Sequence, residues 1–222
     1  MMRQTRKIRS YCRCLNRTNQ CRRKTVNNSL FCKKHRYCKG SQLSNSEPVF
    51  SPNRYNKNNL IQDVHNCFAY GMNVVDPKQL VQCHNKPKCE PTFHQPGGTK
   101  GMSKILQEKK GRKCKTVEHL MRQDVPEITP SSFYPRCPVG KSKIALVVDP
   151  GDDYHFYRQD SDGWWSHKDG ANKVKRFDAE GKPIWNPQTA ARDYRPNGST
   201  LNYKNLCGFY CVPRRKTIKL AR

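Results

Sequence analysis

The stretch Ile144-Ala-Leu-Val-Val148, Asp149-Pro-Gly151, Asp153-Tyr-His-Phe-Tyr-Arg-Gln159, Asp160-Ser-Asp-Gly163, Trp164-Trp-Ser-His-Lys168 decides the fold class. Five consecutive apolar residues, three of them β-branched, read as a central strand. Asp149-Pro-Gly is a turn. The next seven residues alternate and are rich in aromatics, and Asp160-Ser-Asp-Gly163 joins them to Trp164–Lys168 in a hairpin. Further strands are expected around Val174 to Phe177 and Cys207 to Val212, with Asp178-Ala-Glu-Gly181 as another turn.

Upstream of this β-rich third the pattern changes. Apolar residues at 60, 64, 68, 72 and 75 follow a helical period, so a helix is expected to start near His65 and end by Asp76-Pro77. Residues 102 to 124 form a second, basic amphipathic pattern through Ile105, Leu106, Val117, Leu120 and Met121, broken near Gly111. Pro126, Pro130, Pro135 and Pro138 then force an extended crossing. The expected fold is therefore α+β, a helix followed by an antiparallel sheet. The expected organisation is a basic zinc-binding knuckle over 1–40, a Ser/Asn/Pro-rich linker or extended arm over 41–59, an α+β Cys/His domain over 60–213 and a basic tail over 214–222.

The chain has 222 residues, 34% hydrophobic content and a mean hydropathy of −0.99, which limits it to one core of ordinary size. No run approaches the length of a membrane span, and the first thirty residues lack the apolar centre of a secretory signal. Reduced thiols and use without secretion are the expectation from that reading, in a virion or the cytoplasm of a host cell. A formal charge of +26 far exceeds what solubility requires. It implies a polyanionic partner, nucleic acid or acidic protein neighbours, held through the basic ends. No recognition helix or RNA-binding signature is evident, so such binding should be salt-sensitive and sequence-blind.

Residues 1 to 40 carry thirteen Lys and Arg and no carboxylate, yet six soft ligands: Cys12, Cys14, Cys21, Cys32, His35 and Cys38. Cys14, Cys21, Cys32 and His35 give C-x6-C-x10-C-x2-H, which suits one tetrahedral Zn²⁺, with Cys12 or Cys38 able to substitute. Metal binding would supply folding free energy that so few apolar residues cannot. A weaker second site is suggested by Cys83, His84, Cys89 and His94.

Cys67, His155 and a later polar residue stand in the chain order of a nucleophile, a base and an orienting group. A helix start lowers a thiol pKa, and an imidazole takes its proton. His155 follows the central strand and is the better base; His167 is the orienting or substrate-contacting candidate. Asp169, Asn186 and Asp193 are the other third members, unranked. Asn66 and the backbone N–H of Cys67 or Phe68 are the oxyanion donors expected. A cysteine among Phe68, Ala69 and Tyr70 equally fits plain core packing.

The runs His65-Asn-Cys-Phe-Ala-Tyr-Gly-Met-Asn73, Gln95-Pro-Gly97, Tyr154 to Lys168, Asn186-Pro187, Arg192-Asp-Tyr194 and Gly208-Phe-Tyr-Cys-Val-Pro213 resemble a family found in giant DNA viruses (nucleocytoplasmic large DNA viruses) and, without the knuckle, in some bacteria. The resemblance spans residues 47 to 213; the family's usual Ala is Gly71 here, and two apolar positions are Cys207 and Cys211, a candidate thiol pair at the sheet edge. It is similar to papain-like and NlpC/P60-like cysteine hydrolases in order and spacing. It implies either a basic, zinc-containing virion protein that binds nucleic acid or acidic partners, or a cysteine hydrolase acting on an amide or peptide bond through Cys67 and His155.

Overall fold

The computed structural model describes residues 15–16, 19–20, 41–76, 93–214 and 218–221. The expected zinc ligands Cys14, Cys21, Cys32 and His35, and Cys83, His84 and Cys89 of the weaker second site, lie outside the described residues. In chain order the elements are β1 (Leu15–Asn16), β2 (Asn19–Gln20), α1 (Asn53–Asn56), α2 (Asn59–Val64), α3 (Cys67–Gly71), α4 (Cys114–Asp124), β3 (Thr129–Ser131), β4 (Lys141–Asp149), β5 (Asp153–Gln159), β6 (Trp165–Lys168), β7 (Val174–Lys175) and β8 (Asn205–Pro213). β1 and β2 pair as a minimal hairpin. The other six strands form one antiparallel sheet in the order β3-β8-β4-β5-β6-β7.

The apolar run of β4 is central because it has something to bury on each side. Ile144, Leu146 and Val148 point to one face, with Phe156, Tyr210 and Val212, and are covered by Phe68 of α3 and by Val117, Leu120 and Met121 of α4. Ala145 and Val147 point to the other, where Tyr157, Trp165, Phe209, Phe133, Ile184 and Tyr203 pack without any helix. Removing a fully buried ring such as Phe156 would cost about 3–5 kcal/mol. Gly71 ends α3 against that ring: a Cβ there would meet the Phe156 Cβ at 3.2 Å, so the small residue permits the close helix–sheet approach.

The helix expected from His65 to Asp76 is shorter, Cys67–Gly71, and a separate helix, Asn59–Val64, precedes it. Asn58 caps α2 by accepting from Leu60 and Ile61 N–H, and Asn66 caps α3 by accepting from Phe68 and Ala69 N–H, each at 3.1 Å in the latter case. His65 between them is extended, with φ −112 and ψ 119. Two asparagines thus start two helices where periodicity read one. The 102–124 pattern likewise yields only α4 as an α-helix, since Ser103–Gln107 and Lys109–Gly111 are 3₁₀ turns. A Cβ on Gly111 would lie 1.9 Å from the Ile105 carbonyl oxygen, which fixes this tight return.

Residues 41 to 52 run extended along the sheet. Ser44 Oγ donates to the Lys141 carbonyl at 2.6 Å, Gln42 N–H to Tyr134 O at 3.0 Å and Ser161 N–H to Pro48 O at 3.0 Å. The buried Lys143 ammonium donates to Ser41 Oγ and to the Phe133 and Pro135 carbonyls at 2.9, 2.7 and 2.6 Å, binding arm and proline segment to β4.

Cys207 and Cys211 do not pair with each other. Four residues apart on a strand they are separated by about 13 Å, well beyond disulfide reach. Each is instead bonded to a distant cysteine, Cys114–Cys207 and Cys137–Cys211, at Cα separations of 5.2 and 5.5 Å. These four thiols are therefore oxidised, contrary to the expectation of reduced cysteines, and β8 is covered by β3 rather than lying at the edge.

Candidate functional site

Cys67 is the first residue of α3, and its neighbour Phe68 stacks on Phe156 of β5 at 5.5 Å between ring centroids. The β5 alternation sends Tyr154 and Phe156 to this helix-covered face and His155 and Tyr157 to the other. β6 pairs only with residues 157 to 159 of β5, so among the described residues the Asp153–Phe156 half has no strand on that side. A cavity of about 620 Å³ occupies this gap, and both Cys67 and His155 line it, with Asp153, Asp169, Tyr203 and Gln95.

His155 is held from behind. Its Nε2 lies 2.8 Å from His167 Nδ1 and 3.2 Å from Asp169 Oδ1, and His167 Nδ1 lies 2.9 Å from the same oxygen. His167 Nε2 donates to the Phe177 carbonyl at 2.9 Å, and Lys175 Nζ sits 2.5 Å from Asp169 Oδ2. Burial pushes the His155 pKa down from 6.5 to about 3, a shift that Asp169 only partly opposes, so the ring is neutral. Burial alone would raise Asp169, but the adjoining His167 and His155 rings and the Lys175 ammonium outweigh it and hold the carboxyl well below the usual range. With His155 neutral and Nε2 turned to His167 and Asp169, the proton belongs on Nε2. Nδ1 then carries the lone pair.

The Cys67 thiol is not preionised. Desolvation first, and then the Asp153 charge, push its pKa well above the ordinary value, and Sγ donates to the Tyr154 carbonyl at 3.9 Å. That contact is with the residue next to His155, not with the imidazole. Asp153 itself is raised by burial and accepts from Tyr203 OH at 2.6 Å.

Of the sequence candidates, His155, His167 and Asp169 are in direct contact, and Cys67 lines the same cavity as His155 and Asp169. Asn186 and Asp193 do neither. Asn186 caps its own turn, accepting from Gln188 N–H at 2.8 Å, and Asp193 forms an exposed pair with Arg195 at 2.7 Å. Asn66 is also spent: its carbonyl caps α3 and its amide donates to His94 O at 2.9 Å. Phe68 N–H goes to that cap, which leaves the Cys67 N–H from the expected oxyanion donors. His94 pairs with Asp76 at 3.6 Å. Asp153 and Tyr203 were missed, although Asp153 is two residues from His155 and so shares its strand face.

Among known proteins, insoluble matrix shell protein 1 of Ruditapes philippinarum is 57% identical over 49 residues, which is 22% of this chain and 33% of that protein. The chain thus spans about a third of the length of this curated relative. No family model matches the chain, and no solved structure does.

Proposed function

We propose that the α+β domain is a cysteine hydrolase of papain-like or NlpC/P60-like arrangement, cleaving an amide or peptide bond with Cys67 as nucleophile and His155 as general base. The observation that carries this reading is the shared cavity. It brings the first residue of a helix and a strand histidine to one space, with the histidine pinned through Nε2 by Asp169 and His167. Cys67 Sγ attacks the carbonyl carbon while its proton passes to His155 Nδ1, and the Cys67 N–H faces the developing oxyanion. The C–N bond breaks as His155 returns the proton to the leaving nitrogen, and water then hydrolyses the thioester. Because the thiol starts neutral, proton transfer accompanies attack, so the rate rests on His155 rather than on a standing thiolate.

The test is alkylation by iodoacetamide, read at residue 67 by peptide mass mapping. Among the described residues Cys67 is the free cysteine. Selective labelling that falls by about 100-fold in His155→Ala is expected from loss of a general base. Labelling at 67 that does not respond to His155→Ala would sink the hydrolase.

A second reading is favoured by a charged surface. Lys100, Lys104, Lys109, Lys110, Lys113 and Lys115 are exposed along the segment whose Ser103, Gln107 and Arg112 line the cavity. This supports sequence-blind capture of a polyanion, nucleic acid or an acidic protein, with the zinc knuckle over 1–40 as a further basic contact. The two disulfides and the likeness to a shell matrix protein favour an oxidising, extracellular setting over a virion or cytoplasm. Binding to heparin and to duplex DNA that weakens steeply with salt and survives Cys67→Ala fits this reading. Absence of binding at low salt would remove it.

A further inference from the structure

The atoms His155 Nε2, His167 Nδ1 and Asp169 Oδ1 form a triangle with sides of 2.8, 2.9 and 3.2 Å. Protons alone do not satisfy it. His167 Nε2 must carry hydrogen to donate to Phe177 O, so a neutral His167 presents a bare Nδ1 to the Asp169 oxygen, lone pair against lone pair. Adding a proton to Nδ1 moves the conflict to the His155–Asp169 edge if His155 Nε2 is bare, or to the His155–His167 edge if it is not. A proton on the carboxyl leaves the two imidazole nitrogens facing each other. Every assignment retains one edge of like polarity.

A cation resolves all three edges at once, because each atom would direct a lone pair to it. We propose that His155, His167 and Asp169 form a binding site for a divalent transition-metal ion of the zinc class. Donor atoms on a tetrahedral ion with bonds near 2.0–2.1 Å stand about 3.3 Å apart, so the triangle needs to open by only about 0.5 Å at most. Two imidazoles and one carboxylate are a borderline donor set that suits Zn²⁺ or Co²⁺ over Mg²⁺ or Ca²⁺. The surrounding contacts are those a metal site requires: the Phe177 carbonyl fixes the His167 tautomer with Nδ1 as ligand, and Lys175 holds the second Asp169 oxygen. Asp169 and His155 line the cavity, which gives the ion an entrance.

Occupancy has a consequence for the base. A metal on His155 Nε2 forces the proton of the neutral ring onto Nδ1, so the nitrogen that the hydrolase reading uses as its base becomes a donor. Metal binding therefore switches the hydrolase off, and its removal switches it on. The binding site stands without the hydrolase; the inhibition rests on it.

The experiment is a Co²⁺ titration of chelator-stripped full-length protein, followed by visible d–d absorption, beside Asp169→Asn and His167→Gln. The wild type is expected to bind one more equivalent than either variant, with no added thiolate-to-cobalt charge transfer, since other cysteine sites in the chain are common to all three. Equal stoichiometry in wild type and Asp169→Asn, a partly exposed isosteric change, overturns the site even where His167→Gln misfolds by circular dichroism. In parallel, Zn²⁺ should slow iodoacetamide labelling of Cys67 by at least about tenfold in the wild type and not in Asp169→Asn. The extra Co²⁺ equivalent with Cys67 labelling indifferent to His155→Ala upholds the metal site and rejects the hydrolase. His155-dependent labelling without that equivalent rejects the metal site and upholds the hydrolase.

Discussion

Two buried charge clusters lie within a few residues of one another on β5 and β6, and they are built on opposite principles. In the first, Arg158 donates to Asp160 Oδ1 through Nε at 3.1 Å and Nη2 at 2.9 Å, and Nη2 also reaches Tyr70 OH at 2.8 Å. Arg176 Nη2 takes Asp160 Oδ2 at 3.0 Å, the Arg158 guanidinium covers the Tyr70 ring at 4.0 Å, and Tyr70 OH shares a hydrogen bond with Ser166 at 2.6 Å. Every contact sets a donor against an acceptor or a cation against a ring face. The His155–His167–Asp169 cluster has no such assignment. The difference separates a joint from a site: the arginine cluster locks α3 to the sheet, while the histidine cluster keeps a polarity conflict that no placement of protons relieves.

Breaking each carboxylate in turn should expose this contrast most strongly. Asp160 is fully buried, so Asp160→Asn leaves the buried Arg158 guanidinium short of its counter-charge, at a cost of about 3–5 kcal/mol. Asp169 is 28% exposed and already faces a like-polarity contact, so Asp169→Asn should change stability by no more than about 1 kcal/mol. Urea unfolding of the two variants reads the difference directly. Cys67 labelling should respond the other way: the hydrolase reading expects it to fall in Asp169→Asn. Comparable destabilisation by both substitutions would erase the distinction between joint and site.

This contrast was only half legible in the chain. The sheet was, because a continuous apolar run followed by an alternating aromatic one has few other solutions: the strand expected at 153–159 is β5, and the runs at 144–148 and 207–212 lie within β4 and β8. The helices were less so, since Asn58 and Asn66 act as caps through side-chain geometry that a 3.6-residue period does not register. For the site, Cys67, His155 and His167 stood out by residue type, but Asp169, Asn186 and Asp193 were equivalent as letters. What ranks them is the short crossing from β6 to β7, which returns Asp169 to the His155 ring while Arg195 claims Asp193 locally. The disulfides were hidden for the same reason. Their partners lie 93 and 74 residues apart, and only the β3-β8-β4 order brings them together.

Acid sharpens the same comparison with a smaller effect. His155 titrates at about 3 in the folded protein, desolvated by burial, against 6.5 when unfolded, so between those values the unfolded chain binds more protons and stability rises with pH. His65 behaves alike. Burial lowers it to about 4, and its ring is committed as a neutral one, with Nδ1 2.8 Å from the Ile61 carbonyl and Nε2 accepting from Asp76 N–H at 2.8 Å. Protonating Nε2 would set two N–H groups against each other. The contribution of both rings is therefore complete above pH 6.5 and is lost as pH falls through 4 and toward 3; Asp169, depressed below the ordinary 3.8, is lost in the same direction at still lower pH. Each ring forgoes up to about 3 kcal/mol between pH 6.5 and 4, so we expect several kcal/mol less stability at pH 4 than at pH 7, measured by urea unfolding at each pH. His155→Gln keeps a hydrogen-bond donor at this position but takes up no proton, so its stability should fall less steeply over that range. An unchanged slope in that variant would mean that the histidine cluster is not the proton-sensitive half of the pair.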